Sequence, residues 1–298
     1  MVSMNEVGDM VRLSGDGVRV GLAPETGGAV SLYDVETPDG WQPILLASTE
    51  RGRSGPFALA SNVLAPWSNR ISGGGFSFEG RFHPLESSSE RYPNHGNAYS
   101  SAWDVAEAGE ARAVLTLTSS GPGPFRYDAR LVYALDGSAL RMSLALTNRA
   151  DVALPYGGGF HPWFPRTPDA RLQFVAAGVW TETADHLPDR YLEYDPDWDF
   201  AAGPLLPDRW LNNAFTGWMG SARITWPSRK LAATITADHP LRTLILYSPS
   251  AAADFISVEP VSHSVDAYNR TGPGVAPPRR LAPGETLTLT ATITPERL

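Results

Sequence analysis

The C-terminal part of the chain alternates strictly between apolar and polar positions. From Thr286 to Ile293, threonines alternate with leucine, alanine and isoleucine. This period of two is typical of a strand with one buried face. The preceding segment, Leu281-Ala-Pro-Gly-Glu285, contains the Pro and Gly that a tight reversal requires. The pattern therefore predicts a turn followed by a half-buried strand.

Two further segments have the pattern of β-hairpins. Tyr127–Leu135 and Ala139–Thr147 flank the turn pair Asp136-Gly137, and both arms alternate. A second pair, Glu79-Gly80, lies within the short alternating segment Phe76–Phe82. Each segment is expected to form two antiparallel strands joined by a tight turn.

The same rhythm continues along the chain, and helical periods with caps are missing. Alternating segments and turn signals recur about every 8 to 12 residues, as in antiparallel sandwiches and barrels. We therefore expect an all-β, largely antiparallel protein with one domain over residues 1–298. Thr183–Trp210, rich in Asp, Pro, Tyr and Trp, has no sustained period and is predicted to be a long ordered loop near a site.

Composition agrees with this fold class. The 298 residues are 42% hydrophobic, 10% aromatic and only 19% charged, which excludes a disordered or coiled-coil chain. The 28 glycines and 26 prolines favour short strands over long helices.

Charge and hydropathy narrow the set of partners. The net charge is −8 without a dense basic run, so nucleic acid is not expected to bind. Neither a long apolar stretch nor a signal-peptide pattern is present, so we expect no membrane association and, by default, a cytoplasmic monomer or homodimer. Without cysteine there is no disulfide and no thiolate chemistry.

Two residues are candidate acid–base groups. His161 follows three glycines within an aromatic run and precedes Pro162, which favours an extended backbone at His161. Glu259 shares one face of its strand with Phe255 and Ser257. Because Pro260 cannot donate to a strand ladder, we expect the strand to end there and to leave Glu259 at an open sheet mouth. The alternatives are a core histidine and an exposed edge carboxylate.

Arg70 and His95 are candidate ligand-binding residues. Arg70 follows Trp67-Ser-Asn and brings a fork of donors that suits sugar hydroxyls, although a surface salt bridge is an equal alternative. His95 lies among aromatic and amide neighbours, where a turn histidine without a role would look the same. The spacing of the six histidines, including His263 four residues after Glu259, predicts no metal site.

Taken in order, several fragments resemble the aldose 1-epimerase (galactose mutarotase) family. The matching fragments cover nearly the whole chain: Ala65-Pro-Trp-Ser-Asn-Arg-Ile71, His95-Gly96, Gly157-Gly-Gly-Phe-His-Pro-Trp-Phe164, Phe215-Thr-Gly-Trp218, Tyr247-Ser-Pro249, Glu259-Pro260 and Leu281-Ala-Pro-Gly-Glu285. The resemblance implies a galactose-mutarotase-like β-supersandwich with an open carbohydrate cleft and no cofactor.

The resemblance also implies roles for particular residues. Glu259 would be the general base, His161 the general acid, and Arg70 and His95 sugar-binding groups. Asn212 stands where many relatives carry an aspartate, so the sugar contact at that position differs. The implied activity is interconversion of the α and β anomers of a free aldose, with Glu259 and His161 expected to face each other across a gap the width of one pyranose.

Three other functions remain open at this stage. A non-catalytic carbohydrate-binding β-sandwich would use the many tryptophans and tyrosines for stacking. A glycoside hydrolase would need a second carboxylate, for which Asp254 and Asp266 are candidates. A mutarotase for phosphorylated sugars would need extra basic residues at the cleft, and Arg51, Arg53 and Arg91 are the candidates by sequence proximity.

Overall fold

A computed structural model describes residues 11–48, 54–87, 90–193 and 195–298. Over these residues the regular elements are 23 strands and four short 3-10 helices, without an α-helix. The strands are β1 (Val11–Gly15), β2 (Val18–Ala23), β3 (Ala29–Thr37), β4 (Gly40–Leu45), β5 (Ser61–Leu64), β6 (Gly75–Phe78), β7 (Arg81–Pro84), β8 (Asp104–Ala108), β9 (Arg112–Ser119), β10 (Tyr127–Asp136), β11 (Ala139–Asn148), β12 (Leu154–Tyr156), β13 (Gly159–Pro165), β14 (Arg171–Phe174), β15 (Gly178–Glu182), β16 (Pro188–Leu192), β17 (Leu211–Thr216), β18 (Ser221–Trp226), β19 (Leu231–Ala237), β20 (Thr243–Ser248), β21 (Phe255–Val261), β22 (Arg279–Leu281) and β23 (Thr286–Arg297). The 3-10 helices are Gly55–Ala58, Ala98–Ser100, Pro196–Trp198 and Pro227–Arg229.

Two large sheets contain most of the strands. The larger has eleven strands in the order β1-β2-β3-β5-β13-β21-β20-β17-β15-β16, with β4 paired to β3. The other has eight strands in the order β14-β18-β19-β23-β11-β10-β9-β8. Two-stranded sheets are formed by β12 with β22 and by β6 with β7. The prediction of an all-β, largely antiparallel fold is confirmed.

The apolar core contains residues of both large sheets. On β23, the alternating apolar positions that the sequence singled out are buried, and Leu289 lies directly opposite Leu144 of β11. The larger sheet contributes Ile256 and Val258 of β21 to the same core. The alternation thus marks the faces of the strands that meet at the core. The expectation of a single domain over residues 1–298 stays a prediction.

Both predicted hairpins are present. Strands β10 and β11 pair from Tyr127 opposite Asn148 to Asp136 opposite Ala139, around a turn in which Gly137 has a φ of +59°. A left-handed backbone of this kind favours glycine, which explains the residue at that position. Strands β6 and β7 form the second hairpin, with Phe78 opposite Arg81.

The prediction of a loop over Thr183–Trp210 is wrong in part. Strand β16 and the 3-10 helix Pro196–Trp198 lie within this segment. Because β16 is an edge strand of the larger sheet, its side chains are mostly half-buried or exposed, and the apolar alternation that marks buried strands is weak. The segment is nevertheless close to the site described below, through His186 and Trp210.

The order of strands brings distant parts of the chain together. Strands β5, β13, β21, β20 and β17 are consecutive neighbours in the larger sheet. Along β21 one face is packed in the core, so Ser257 and Glu259 point to the opposite face. In the described ranges we find no helix long and apolar enough to cross a membrane.

Candidate active site

A cleft of about 290 Å³ opens on the face of the larger sheet that carries Ser257 and Glu259. All the residues predicted to form a site line this cleft: Glu259, His161, Arg70, His95 and Asn212. They come from three strands and two loops, which the topology alone brings together.

His161 and Glu259 are cross-strand neighbours. In the pairing of β13 with β21, Gly159 is opposite Val261 and Trp163 is opposite Ser257, so position 161 falls opposite position 259. The Nε2 atom of His161 lies 3.2 Å from Oε1 of Glu259. The expected gap of one pyranose between the two groups is therefore wrong, since they are in direct contact.

The expectation that Glu259 lies at an open strand end is also wrong. Strand β21 continues through Pro260, which is opposite Leu244 of β20, and ends at Val261. Because β21 is a central strand held on both sides, one missing N–H does not end the pairing. Glu259 is consequently only 2% exposed, although it reaches the cleft.

A hydroxyl group fixes the tautomer of His161. Ser257 Oγ donates its hydrogen to the carbonyl oxygen of Pro162 at 3.0 Å and lies 2.8 Å from His161 Nδ1. Since a hydroxyl has one hydrogen, the second contact requires Nδ1–H of His161 as the donor. In the neutral ring, Nε2 is then unprotonated and faces Glu259.

The carboxyl group of Glu259 is far less acidic than usual. Burial is the largest influence and raises its pKa to about 8, while the positive charge of Arg70 acts in the opposite direction. Apolar side chains lie beside Glu259 on the same face of the sheet, since Ile245 is opposite it on β20 and Val261 is two positions along β21. Near neutral pH, a protonated Glu259 can therefore donate to Nε2 of His161.

His95 presents a neutral donor. The backbone N–H of Asn69 donates to Nδ1 of His95 at 3.0 Å, which leaves the proton of the neutral ring on Nε2. Burial, together with the nearby charge of Arg70, lowers the pKa of His95 to about 3. The backbone at Gly96 packs so closely on the carbonyl of Ala65 that a Cβ there would lie 2.1 Å from the oxygen, and this contact holds the loop of His95 against β5.

Arg70 is held by a carboxylate while it lines the cleft. Its guanidinium donates to Oε2 of Glu90 at 3.0 Å, and Asn94 Nδ2 donates to the same carboxylate. Arg70 and Glu90 both line the cleft. Arg70 therefore forms a salt bridge, as one of the two sequence interpretations expected, and also lies where a ligand could contact it, as the other expected.

Asn212 contacts a carboxylate that sequence analysis missed. Its Nδ2 donates to Oε2 of Glu182 at 2.7 Å, and the same oxygen lies 2.9 Å from Nδ1 of His186. Trp210 Nε1 donates to the other oxygen of Glu182. Glu182 ends β15, more than seventy residues before Glu259 in the chain, and no motif marked it.

Aromatic rings form much of the remaining wall, and sequence analysis did not assign them to the site. Trp163 lies 4.3 Å from the ring of His161 and 5.0 Å from that of Phe255, centroid to centroid, and Phe57 lies 5.5 Å from His161. Trp163 and Phe255 occupy the same strand faces as His161 and Glu259, two and four positions away. The even spacing of Trp163 and Phe255 from the two candidate residues could have indicated that they belong to the site. No comparable sequence signal marked Phe57.

Other candidates lie elsewhere. His263 donates from Nδ1 to the carbonyl of Ser264 and accepts at Nε2 from the N–H of Ser68, so it braces the backbone. Asp254 and Asp266 do not line the cleft. Arg91 pairs with Asp185. Arg51 and Arg53 lie outside the described residues.

Comparisons with known proteins identify the family of this chain. The aldose 1-epimerase family matches residues 9–294, so the chain belongs to this family. The uncharacterized protein YphB of Escherichia coli K12 is 31% identical over 236 residues, which cover 76% of this chain and 80% of YphB.

Solved structures share the whole fold. A crystal structure from E. coli K12, provisionally assigned as an aldose 1-epimerase, superposes with a TM-score of 0.88 at 27% identity, covering 97% of this chain and 99% of that one. Galactose 1-epimerase from Lactobacillus acidophilus NCFM superposes with a TM-score of 0.76 at 18% identity, covering 100% and 97% of the two chains. The galactose-mutarotase-like fold is thereby confirmed, and the family is one of epimerases.

Proposed function

We propose that this protein interconverts the α and β anomers of a free, neutral aldose by acid–base ring opening and closure. The observation that carries the proposal is the contact of 3.2 Å between His161 Nε2 and Glu259 Oε1 at the wall of an open cleft. The anomeric oxygen and the ring oxygen of a sugar are bonded to the same carbon and lie closer together than a hydrogen-bond length. An acid and a base in direct contact therefore match the two oxygens better than groups separated by a ring's width.

The proton transfers balance with these two groups alone. Carboxylate Glu259 takes the proton of the anomeric hydroxyl while imidazolium His161 gives a proton to the ring oxygen, and the bond between the anomeric carbon and the ring oxygen breaks. The open-chain aldehyde rotates about its first carbon–carbon bond. Closure on the other face returns both protons, with Glu259 now the acid and His161 the base.

The reactive form needs one proton on the pair. A neutral pair of carboxylic acid and imidazole differs from the ion pair of carboxylate and imidazolium only by transfer of that proton between Glu259 and His161. Because burial raises the pKa of Glu259 to about 8, its carboxyl group can both release and take back a proton near neutral pH, as the exchange of roles requires. Ser257 holds the ring of His161 in the orientation that this exchange requires.

The charges around the cleft favour a neutral sugar. Arg70 is the one guanidinium among the described residues that line it, and Glu90 neutralises that charge. Glu182 adds a second carboxylate directly behind Asn212. An anionic sugar would meet an environment without excess positive charge in the described part of the chain.

Anomer exchange measured by NMR or polarimetry on freshly dissolved neutral, acidic and phosphorylated aldoses tests the proposal. We expect acceleration for at least one neutral aldose, and a loss of a thousandfold or more in kcat for Glu259→Gln and for His161→Gln. Glu25→Gln and His239→Gln, which alter exposed residues of the same types, serve as controls and should leave the rate unchanged. Full activity in Glu259→Gln, or no acceleration of any aldose, would refute the proposal.

The pH dependence supplies a separate test. The pair loses its shared proton at high pH and gains a second proton at low pH, and both changes abolish the reactive form, so kcat/KM should follow a bell-shaped curve. The alkaline side should reflect the raised pKa of about 8 at Glu259. A flat profile between about pH 5 and 9 would contradict the assignment of this pair.

A non-catalytic sugar-binding protein is the second candidate, favoured by the aromatic wall of Trp163, Phe255 and Tyr247. Calorimetric binding of a sugar whose anomers the protein does not exchange would select this function.

A further inference from the structure

Glu182 connects three side chains of the cleft wall without lining the cleft itself. Asn212, His186 and Trp210 all direct a donor at its carboxylate. The rings of His186 and Trp210 are also stacked, with centroids 5.6 Å apart. One side of the cleft is therefore organised around a single, partly buried carboxylate, whose side chain is 18% exposed.

The carboxylate determines which way the amide of Asn212 points. An ionised carboxylate only accepts hydrogen bonds, so the arm of the Asn212 amide that lies 2.7 Å from Glu182 must be the NH₂ group. The carbonyl arm then points away from Glu182. Within the described residues Oδ1 of Asn212 has no hydrogen-bond partner, and Asn212 lines the cleft.

We propose that Glu182 is a positioning residue that turns the carbonyl oxygen of Asn212 toward the cleft, where it accepts a hydrogen bond from a hydroxyl group of the sugar. This inference rests on the proposed function, because it concerns the substrate of that reaction. The opposite side of the cleft offers the donors of Arg70 and the Nε2–H of His95. The substrate must therefore present a free hydroxyl to Asn212 and acceptor oxygens to Arg70 and His95.

The arrangement explains how asparagine can replace a carboxylate at this position. The aspartate that many family members carry would present an acceptor oxygen to the sugar, and the oriented Asn212 does the same. Aspartate is, however, incompatible with the neighbour in this chain, because Asn212→Asp would bring two carboxylates to hydrogen-bond distance, where like charges repel.

A double-mutant cycle tests the inference through the kinetics of anomer exchange. In Glu182→Gln the side chain of Asn212 can flip, so KM should rise about threefold to tenfold with kcat within about twofold. Asn212→Asp should raise KM by about tenfold or more. The double variant Glu182→Gln/Asn212→Asp restores the hydrogen bond with reversed polarity, because the new amide at position 182 donates and the new carboxylate at position 212 accepts. Its KM should return to within about threefold of the parent.

The result that would overturn the inference is additivity. If the double variant is worse than either single variant, as independent defects predict, Glu182 does not orient position 212. Asp189→Asn, which changes a half-exposed carboxylate on neighbouring β16, should leave KM unchanged and is the matched control.

Two measurements separate this inference from the proposed function because neither requires turnover. Thermal unfolding should show a lower Tm for Asn212→Asp and recovery in the double variant. The side-chain NH₂ resonances of Asn212 should exchange slowly with solvent in the parent and rapidly in Glu182→Gln. Should the parent exchange no anomers, the proposed function fails while these results still decide the role of Glu182, and unchanged resonances and Tm values would refute it.

Discussion

Burying the carboxyl group of Glu259 should make the protein less stable as the pH rises, and Glu259→Gln should remove that dependence. An ordinary glutamate has a pKa of 4.5, and burial raises that of Glu259 to about 8. The folded state therefore holds a proton that the unfolded chain has released. The stability that this group contributes is fully present below the pKa of the unfolded chain, 4.5, and is lost as the pH rises through the pKa of the folded state, about 8.

The magnitude follows from the two pKa values. At about 1.4 kcal/mol for each factor of ten in acidity, the cost to the free energy of unfolding is about 1 kcal/mol at pH 5, about 3 kcal/mol at pH 7 and about 5 kcal/mol at pH 9. Glutamine has nearly the same shape and is neutral throughout, and its NH₂ group can donate to Nε2 of His161 as the protonated acid does. The variant should gain in relative stability by about 4 kcal/mol between pH 5 and pH 9.

Urea unfolding of the parent and of Glu259→Gln at several pH values measures this difference directly. We expect the two free energies to be close at pH 5 and to diverge steadily toward pH 9, with the variant the more stable protein. Glu25→Gln, an exposed residue, should follow the parent at every pH. Parallel curves for the parent and Glu259→Gln across the whole range would show that Glu259 does not titrate with a raised pKa.

Three further changes test individual contacts. Ser257→Ala removes the acceptor of His161 Nδ1–H, so kcat for anomer exchange should fall about tenfold with KM within about twofold; an unchanged kcat would mean that the tautomer is fixed in another way. Arg70→Lys keeps the charge beside Glu90 but loses the fork of donors, so KM should rise about tenfold, and an unaltered KM would remove Arg70 from the substrate contacts. Gly157→Ala places a Cβ 2.1 Å from Cδ2 of His263, so urea unfolding should show a loss of about 1–3 kcal/mol, and full stability would show that the ring can move away.

The strands that form the core could be predicted from the sequence because apolar and polar residues alternate in a strand with one buried face. Strand β23 and the hairpin of β10 and β11 are examples, since their buried faces are apolar over eight positions or more. Strand β16 could not be found in this way, because an edge strand with mostly exposed or half-buried side chains does not need apolar residues at every second position. The resemblance to a family located Arg70, His95 and Asn212, whose own sequence contexts were ambiguous.

Contacts between distant residues were beyond sequence reasoning. The position of Glu259 depends on β20 and β13 pairing on both sides of β21, and no local pattern indicates those partners. With partner strands on both sides, β21 continues through Pro260 although this residue has no N–H to donate. Glu182 was missed for the same reason, since its role depends on Asn212, thirty residues further along the chain.

Pro162 and Pro260, which follow the proposed acid and base, lie in the same part of the ladder between β13 and β21. By the pairing of β13 with β21, Pro162 falls opposite Val258 and Pro260 falls opposite Phe160, so the prolines flank the pair of His161 and Glu259 on both sides. Each proline removes one N–H that a regular ladder would use, and no bridging pair is formed between Gly159–Val261 and Trp163–Ser257. The pairing of β13 with β21 is thus interrupted at the point where the sheet also holds a buried ionisable pair. Neither feature favours stability, yet the burial that makes Glu259 a weak acid is one of them, so the proposed chemistry depends on a region that is costly to the fold.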